Sequence, residues 1–153
     1  MLMLDTSESH PDCPFVEDTA VVVRNRAVVC RPGAMTRRGE VHAIKDALLL
    51  LGFEVIDMAD GYEISSSTDA PTCDGGDVLF PVGYRPAAER DEGGVSGGIG
   101  RKRVGANVYG RHMFVGISSR TNDAGYEALN CAFESDISGD DGRSLEVVPV
   151  PLP

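Results

Sequence analysis

Hydrophobic and polar positions follow two rhythms in the first third of the chain. Val16–Val23 is rich in β-branched residues, and Ala27–Cys30 is a second apolar run. Arg24-Asn25-Arg26 between them predicts a tight turn, so this stretch reads as a hairpin. Arg31-Pro32-Gly33 breaks the pattern. Val41, Ile44, Leu48 and Leu51 then recur at helical spacing, with Arg37, Arg38, Lys45 and Asp46 polar between and before them. Thr36 is placed to cap the start of this helix and Gly52 to stop it. Phe53–Met58 alternates as a strand, so residues 16–58 read β-β-α-β.

The second half repeats that order. Residues 59–73 read as a polar loop. Asp74-Gly75-Gly76-Asp77 is a turn motif leading into apolar Val78-Leu79-Phe80. His112–Gly116 predicts a strand, and Asn122–Phe133 a helix with Tyr126, Leu129 and Phe133 on one face. Leu145–Val150 predicts a last strand, stopped by Pro149, Pro151 and Pro153. Two β-β-α-β units predict a repeat architecture whose modules bury their faces against neighbours.

Residues 81–108 depart from both rhythms. They hold seven of the chain's 18 glycines and a net charge of +2, leaving −12 on the rest. The run from Gly93 to Arg103 predicts a solvated, basic, glycine-rich insertion. It has no G-x-x-x-x-G-K-[ST] pattern and no helix to open onto, which argues against a phosphate cradle. The expected organisation is a polar lead-in over 1–10 and one α/β domain over 11–153, interrupted by 81–108.

A length of 153 residues suits one domain, and 42% hydrophobic residues suffice for a packed core. The net charge of −10 repels phosphates, which excludes nucleic acid and anionic membrane as expected partners. No apolar run approaches the roughly 18 residues of a membrane span. Met1–Leu4 meets Asp5 with no basic flank, so no secretory leader is expected and the setting reads as cytoplasmic. Cys13, Cys30, Cys73 and Cys131 form no C-x-x-C and are expected to be reduced thiols, with no metal site and no cofactor.

The candidate chemistry lies in acids and arginines. Asp12, Glu17 and Asp18 cluster ahead of the first strand, and Asp74 and Asp77 flank a Gly-Gly pair. Acids beside apolar runs are costly to bury unless something cationic meets them. Arg37 lies near a helix start, where the dipole does not favour a cation, and Arg120 lies between a strand and a helix.

Together these segments resemble the dimethylarginine dimethylaminohydrolase family of the guanidino-group-modifying superfamily. The resemblance rests on Asp12–Val23 with its F-V-E-D core and on Arg31-Pro32-Gly33-Ala34 with Arg37-Arg38-x-Glu40-Val41. It continues in Asp74-Gly75-Gly76-Asp77-Val78-Leu79-Phe80 and in Phe114-Val115-Gly116 with Ser119-Arg120-Thr121-Asn122, with Val148-Pro149-Val150 as the next strand. It covers about two thirds of the chain, and the arginine deiminases are the nearest enzymatic rival. It implies an α/β propeller of five ββαβ modules, of which this chain carries about two. The implied reaction is hydrolysis of N-methylated arginine to citrulline and a methylamine, within arginine metabolism and nitric oxide regulation, by a cysteine nucleophile and a histidine acid/base. Carried over by position, Asp18 would grip the guanidinium and Asp74 would sit beside it and orient the histidine. Asp12 would hold the amino end of the substrate, with Glu17 adjacent. Arg37 and Arg120 would bind its carboxylate.

The family's catalytic pair has no counterpart in this sequence. Its histidine follows the V-P-V strand, whereas His10, His42 and His112 all precede it. None of the four cysteines occupies the nucleophile's position. The expectation is a partial member, binding a methylated arginine or similar molecule without turning it over. The alternatives are a non-catalytic association module, self-associating through open sheet edges, and a truncated gene product without function.

Overall fold

The computed structural model describes residue 4 and residues 9–58, 69–85, 106–109, 112–134 and 145–152. Its first module opens with a hairpin: β1 (Ala20–Val23) pairs antiparallel with β2 (Arg26–Val29). Arg24 turns the corner at a φ of 56°. Helix α1 (Val41–Leu50) leads to β3 (Glu54–Asp57), which lies parallel to β2. The turn also anchors β3, because Glu54 N–H donates to the Asn25 carbonyl at 2.8 Å.

The second module has the same topology. The short β4 (Val78–Leu79) leads through β5 (Val82–Arg85) and β6 (Ala106–Tyr109) to β7 (His112–Ile117). Helix α2 (Asp123–Glu134) then connects to β8 (Glu146–Pro151). The sheets run β1-β2-β3 and β4-β7-β8, each with one antiparallel and one parallel pairing. The chain is thus an α/β protein of two ββαβ modules.

Four local expectations are corrected. Val16–Asp18 is a 3-10 turn rather than strand, closed by the Thr19 hydroxyl donating to the Val16 carbonyl at 2.7 Å. Thr36 is not a helix cap. It lies in a second 3-10 turn, Met35–Arg37, and α1 begins only at Val41, after Glu40. The insertion expected over 81–108 is flanked by paired strand rather than being loop from its first residue, because β5 and β6 pair from Val82↔Tyr109 to Arg85↔Ala106. Residues 86–105 lie outside the described part, as do 59–68 of the polar loop. Pro149 and Pro151 do not stop the last strand but belong to it. β8 is an edge strand, where the missing proline N–H is tolerated.

The core lies between the modules. Val21, Val23 and Val28 of the first sheet join Ala128, Leu129, Ala132 and Phe133 of α2, with Met113, Val115 and Val147 of the second sheet, in one buried cluster. Helix α1, by contrast, buries none of its residues. Among the described residues no helix is long and apolar enough to cross a membrane.

Candidate functional site

The charged residues singled out in the sequence lie in turns at the ends of the strands. Asp18 closes the 3-10 turn before β1, and Arg37 lies in the turn between β2 and α1. Asp74 opens a third 3-10 turn, Gly75–Asp77, before β4, and Arg120 lies between β7 and α2. Each module therefore places acid ahead of its first strand and arginine after its second.

Two of the hydrogen bonds between the modules run through these carboxylates. Asp18 Oδ1 accepts from Gly76 N–H, and Asp74 Oδ1 accepts from Gly33 N–H, both at 3.1 Å. The Gly-Gly pair makes this approach feasible. A Cβ at Gly75 would overlap the Glu17 carbonyl oxygen, and one at Gly76 would overlap Asp18 Oδ1.

Each carboxylate also has an arginine. Arg37 Nη1 donates to Asp18 Oδ2 at 2.6 Å, while its Nε and Nη2 donate to Glu40 Oε2 at 3.1 and 2.9 Å. Nη2 also reaches the Asp12 and Phe15 carbonyls at 3.3 and 3.4 Å. Burial by itself would lower the pKa of this guanidinium. The hydrogen bonds and charges of Glu40 and Asp18 outweigh it and hold the value above the ordinary arginine range. Arg37, read from the sequence as a carboxylate ligand, thus has its partners inside the chain. Arg120 differs: Nη1 donates to Asp74 Oδ2 at 3.2 Å, and the side chain stays largely exposed. The side chain of Asp74 is buried, whereas Asp12 and Glu17 are exposed beside the junction.

A network that the sequence reading missed holds these groups in place. Thr121 Oγ1 donates to Asp77 Oδ2 at 2.7 Å and accepts from Asp74 N–H at 3.1 Å. Ser118 Oγ donates to the same Asp77 oxygen at 2.8 Å. Asn122 locks the approach to the turn, its Oδ1 accepting from Thr72 N–H at 3.0 Å. Glu40, buried against Arg37, was visible only as the end of R-R-x-E; its i,i+3 spacing from Arg37 was the available signal.

The four cysteines are free, and Cys30 and Cys73 are fully buried. The hydrogen bond with Cys73, burial, and the negative charges of nearby Asp74 and Asp18 push the Cys30 thiol well up, so it stays protonated. Of the remaining two, Cys13 is half-buried and Cys131 exposed on α2.

No family model matches the chain. It is 33% identical over 133 residues to an N(G),N(G)-dimethylarginine dimethylaminohydrolase of Streptomyces coelicolor, a match spanning 87% of this chain and 37% of that protein. It is 30% identical over 133 residues to the human putative hydrolase DDAH2, spanning 87% of this chain and 34% of the other. The chain therefore spans about a third of the length of these curated relatives. Among solved structures it shares its fold with the Pseudomonas aeruginosa dimethylarginine dimethylaminohydrolase complexed with citrulline. The TM-score is 0.63 at 22% identity, over 96% of this chain and 41% of that one. The N-terminal domain of a cyanobacterial arginine dihydrolase matches with a TM-score of 0.61 at 19% identity, over 97% and 38%.

Proposed function

Since the chain belongs to the dimethylarginine dimethylaminohydrolase family over the 133 residues it shares with the Streptomyces coelicolor protein, we propose that its modules form the ligand-holding part of a methylarginine hydrolase. The observation that carries this is the alternation of opposite charges at the module junction. Asp18 and Asp74 lie in neighbouring turns, and each holds an arginine on one oxygen. A methylarginine presents a planar cation at one end and a carboxylate at the other, so it needs both signs of charge a side chain's length apart.

In this reading Asp18 takes the guanidinium, with Asp74 beside it to orient an acid/base histidine. Asp12 holds the amino end, and Glu17 borders the site. Arg120, exposed and with N–H groups beyond the one given to Asp74, meets the carboxylate. Arg37 supports it by fixing Asp18 and adding positive charge. In a five-bladed propeller these modules would be two consecutive blades, working in the cytoplasm on arginine derivatives. The F-V-E-D and D-G-G-D-V-L-F wording favours the dimethylarginine reaction over that of the arginine deiminases.

Hydrolysis also needs a thiolate to attack the guanidinium carbon and a proton for the departing methylamine. Cys30 and Cys73 are buried thiols behind the acids, and Cys131 sits on α2. Cys13 is half-buried near Asp12, and in this reading none of the four acts as the nucleophile, so the chain binds without turnover. Losing a cooperating catalytic pair costs on the order of 10⁶-fold in rate.

Calorimetry and a citrulline assay test the reading together. Dimethylarginine should bind saturably, with about tenfold weaker binding in Asp18→Asn and in Arg120→Gln, the equivalent of ~1.4 kcal/mol. Methylguanidine, which has no carboxylate, should be insensitive to Arg120→Gln. Citrulline should stay at background. Absence of saturable binding would overturn the binding site. Multiple-turnover citrulline release abolished by Cys13→Ser would overturn the lack of turnover.

A further inference from the structure

Asp77 closes the D-G-G-D turn, and the ligand-holding reading gives it no role. Its place is set by the backbone. The 3-10 turn Gly75–Asp77 closes with Asp77 N–H donating to the Asp74 carbonyl at 2.9 Å. The carboxylate then reaches across to the segment between β7 and α2. There Oδ2 accepts from two hydroxyls, Ser118 Oγ at 2.8 Å and Thr121 Oγ1 at 2.7 Å.

The direction of these bonds follows from counting protons. A hydroxyl has one proton to donate and lone pairs to accept with, and an ionised carboxylate only accepts. Thr121 Oγ1 meets Asp74 N–H at 3.1 Å. Ser118 Oγ meets Arg120 N–H at 3.0 Å and Thr121 N–H at 3.2 Å. Backbone N–H groups only donate, so both hydroxyls accept there and send their single protons to Asp77. One carboxylate oxygen thus orients two hydroxyls, and each hydroxyl holds the main chain of one charged residue. The Thr121 branch ends at Asp74, on the side of the ligand's cation. The Ser118 branch ends at Arg120, on the side of its carboxylate.

The two branches differ in their surroundings. Thr121 and Asp74 are both buried, so the bond between them is shielded from water. Losing the acceptor there leaves a buried N–H unpaired. Arg120 is exposed, and its N–H has water as an alternative partner, so Ser118 supplies direction more than satisfaction. Ser118 N–H also donates to the Thr121 carbonyl at 2.9 Å, which ties the two hydroxyl-bearing residues to each other.

We propose that Asp77 is a positioning residue that sets Asp74 and Arg120 relative to each other through the Thr121 and Ser118 hydroxyls. Both ends of the ligand site are thereby fixed from one oxygen. The consequence for binding rests on the ligand-holding reading, whereas the network stands without it. What the position needs is an acceptor oxygen rather than a charge. Asparagine is therefore the conservative substitute, because its amide oxygen accepts both hydroxyl protons.

Calorimetry with dimethylarginine and methylguanidine tests this on the full chain, at a temperature where circular dichroism shows each variant folded. Amide proton shifts of the ligand-free chain accompany it. Asp77→Ala should weaken both ligands, dimethylarginine by about tenfold, the size of one lost hydrogen bond to a charged group. Asp77→Asn should recover most of that loss. Thr121→Val should weaken both ligands, because Asp74 faces the cation that both carry. Ser118→Ala should weaken dimethylarginine alone, because methylguanidine has no carboxylate for Arg120. Asp77→Ala combined with Thr121→Val should cost less than the two losses added. Without ligand, Thr121→Val should shift the Asp74 amide proton, Ser118→Ala that of Arg120, and Asp77→Ala both. Unchanged affinities in a less stable Asp77→Ala, or an Asp77→Asn as impaired as Asp77→Ala, would overturn the proposal. So would additive losses in the double variant. If Asp77→Ala does not fold, Ser118→Ala decides, and an equal effect on both ligands overturns the proposal. If the wild type binds neither ligand, the ligand-holding reading fails and the amide shifts decide. Both amides moved by Asp77→Ala then supports the positioning role, and either one unmoved overturns it.

Discussion

Arg37 and Arg120 occupy the same place in the two modules, between the second strand and the helix, yet their side chains are 7% and 58% exposed. Arg37 is a structural cation between Asp18 and Glu40, and Arg120 keeps most of its guanidinium toward solvent. The first module thus turns its arginine inward, and the second presents it.

That difference sets an order of stability. Arg37→Leu strands the Glu40 carboxylate, 2% exposed, and leaves Asp18 with Gly76 N–H alone. Breaking a buried pair from one side costs about 3–5 kcal/mol. Arg120→Leu also uncovers a buried carboxylate, Asp74, but one that keeps its hydrogen bond from Gly33 N–H and loses a cation that solvent already screens, a smaller loss of about 1–3 kcal/mol. Urea titrations of the two variants should show this gap. Equal losses would contradict the assignment of Arg37 as the structural member.

Gly75→Ala should loosen the junction. The added methyl meets the Glu17 carbonyl, which is backbone and cannot swing away. Overpacking of this kind costs about 1–3 kcal/mol. It also pushes the Asp74 turn off the Asp18 turn, so dimethylarginine affinity should fall with stability. An unchanged melting temperature together with unchanged affinity would show that the two turns do not pack as described.

Stability should fall in alkaline solution through Cys30. Its folded pKa lies above the ordinary thiol value of 9.0, first because of its hydrogen bond to Cys73 and then through burial. The folded state therefore holds a proton that the unfolded chain releases. Stability is constant below the ordinary thiol pKa and declines as pH rises above it, by at most about 1.4 kcal/mol per pH unit for one group. Urea midpoints between pH 7 and 10 should show the decline, and Cys30→Ala should flatten it. The same burial predicts that Cys131 reacts fastest with a thiol reagent, and that Cys30 and Cys73 react only on unfolding.

Residues 86–105 should be replaceable by a two-residue Asn-Gly turn. Arg85 and Ala106 are paired across the ladder, so their backbones already stand at hairpin distance. Shortening a loop changes closure entropy by only about 0.6 kcal/mol per halving. Thermal unfolding should be unchanged or shifted upward. A loss of several kcal/mol would mean that this segment contributes packing of its own.

By itself the sequence determined the repeat, the two helices and most strands, because apolar periodicity is a local property that survives in one dimension. It also marked Asp18, Arg37, Asp74 and Arg120, since charges set against apolar runs need partners. The tertiary structure decided which partners those are. Arg37 pairs with Asp18 across 19 residues and Arg120 with Asp74 across 46, and no local spacing encodes such distances. The late start of α1 has the same origin, because the turn holding Arg37 is bound to Asp18 and to the Asp12 carbonyl, and Thr36 sits within that turn rather than capping the helix. β5 and β6 escaped notice because their pairing joins strands 20 residues apart, through a register that only the folded ladder defines. The prolines of β8 misled for a related reason: a residue that cannot donate to a ladder ends a strand only where the ladder needs its N–H, and only the sheet order made β8 an edge.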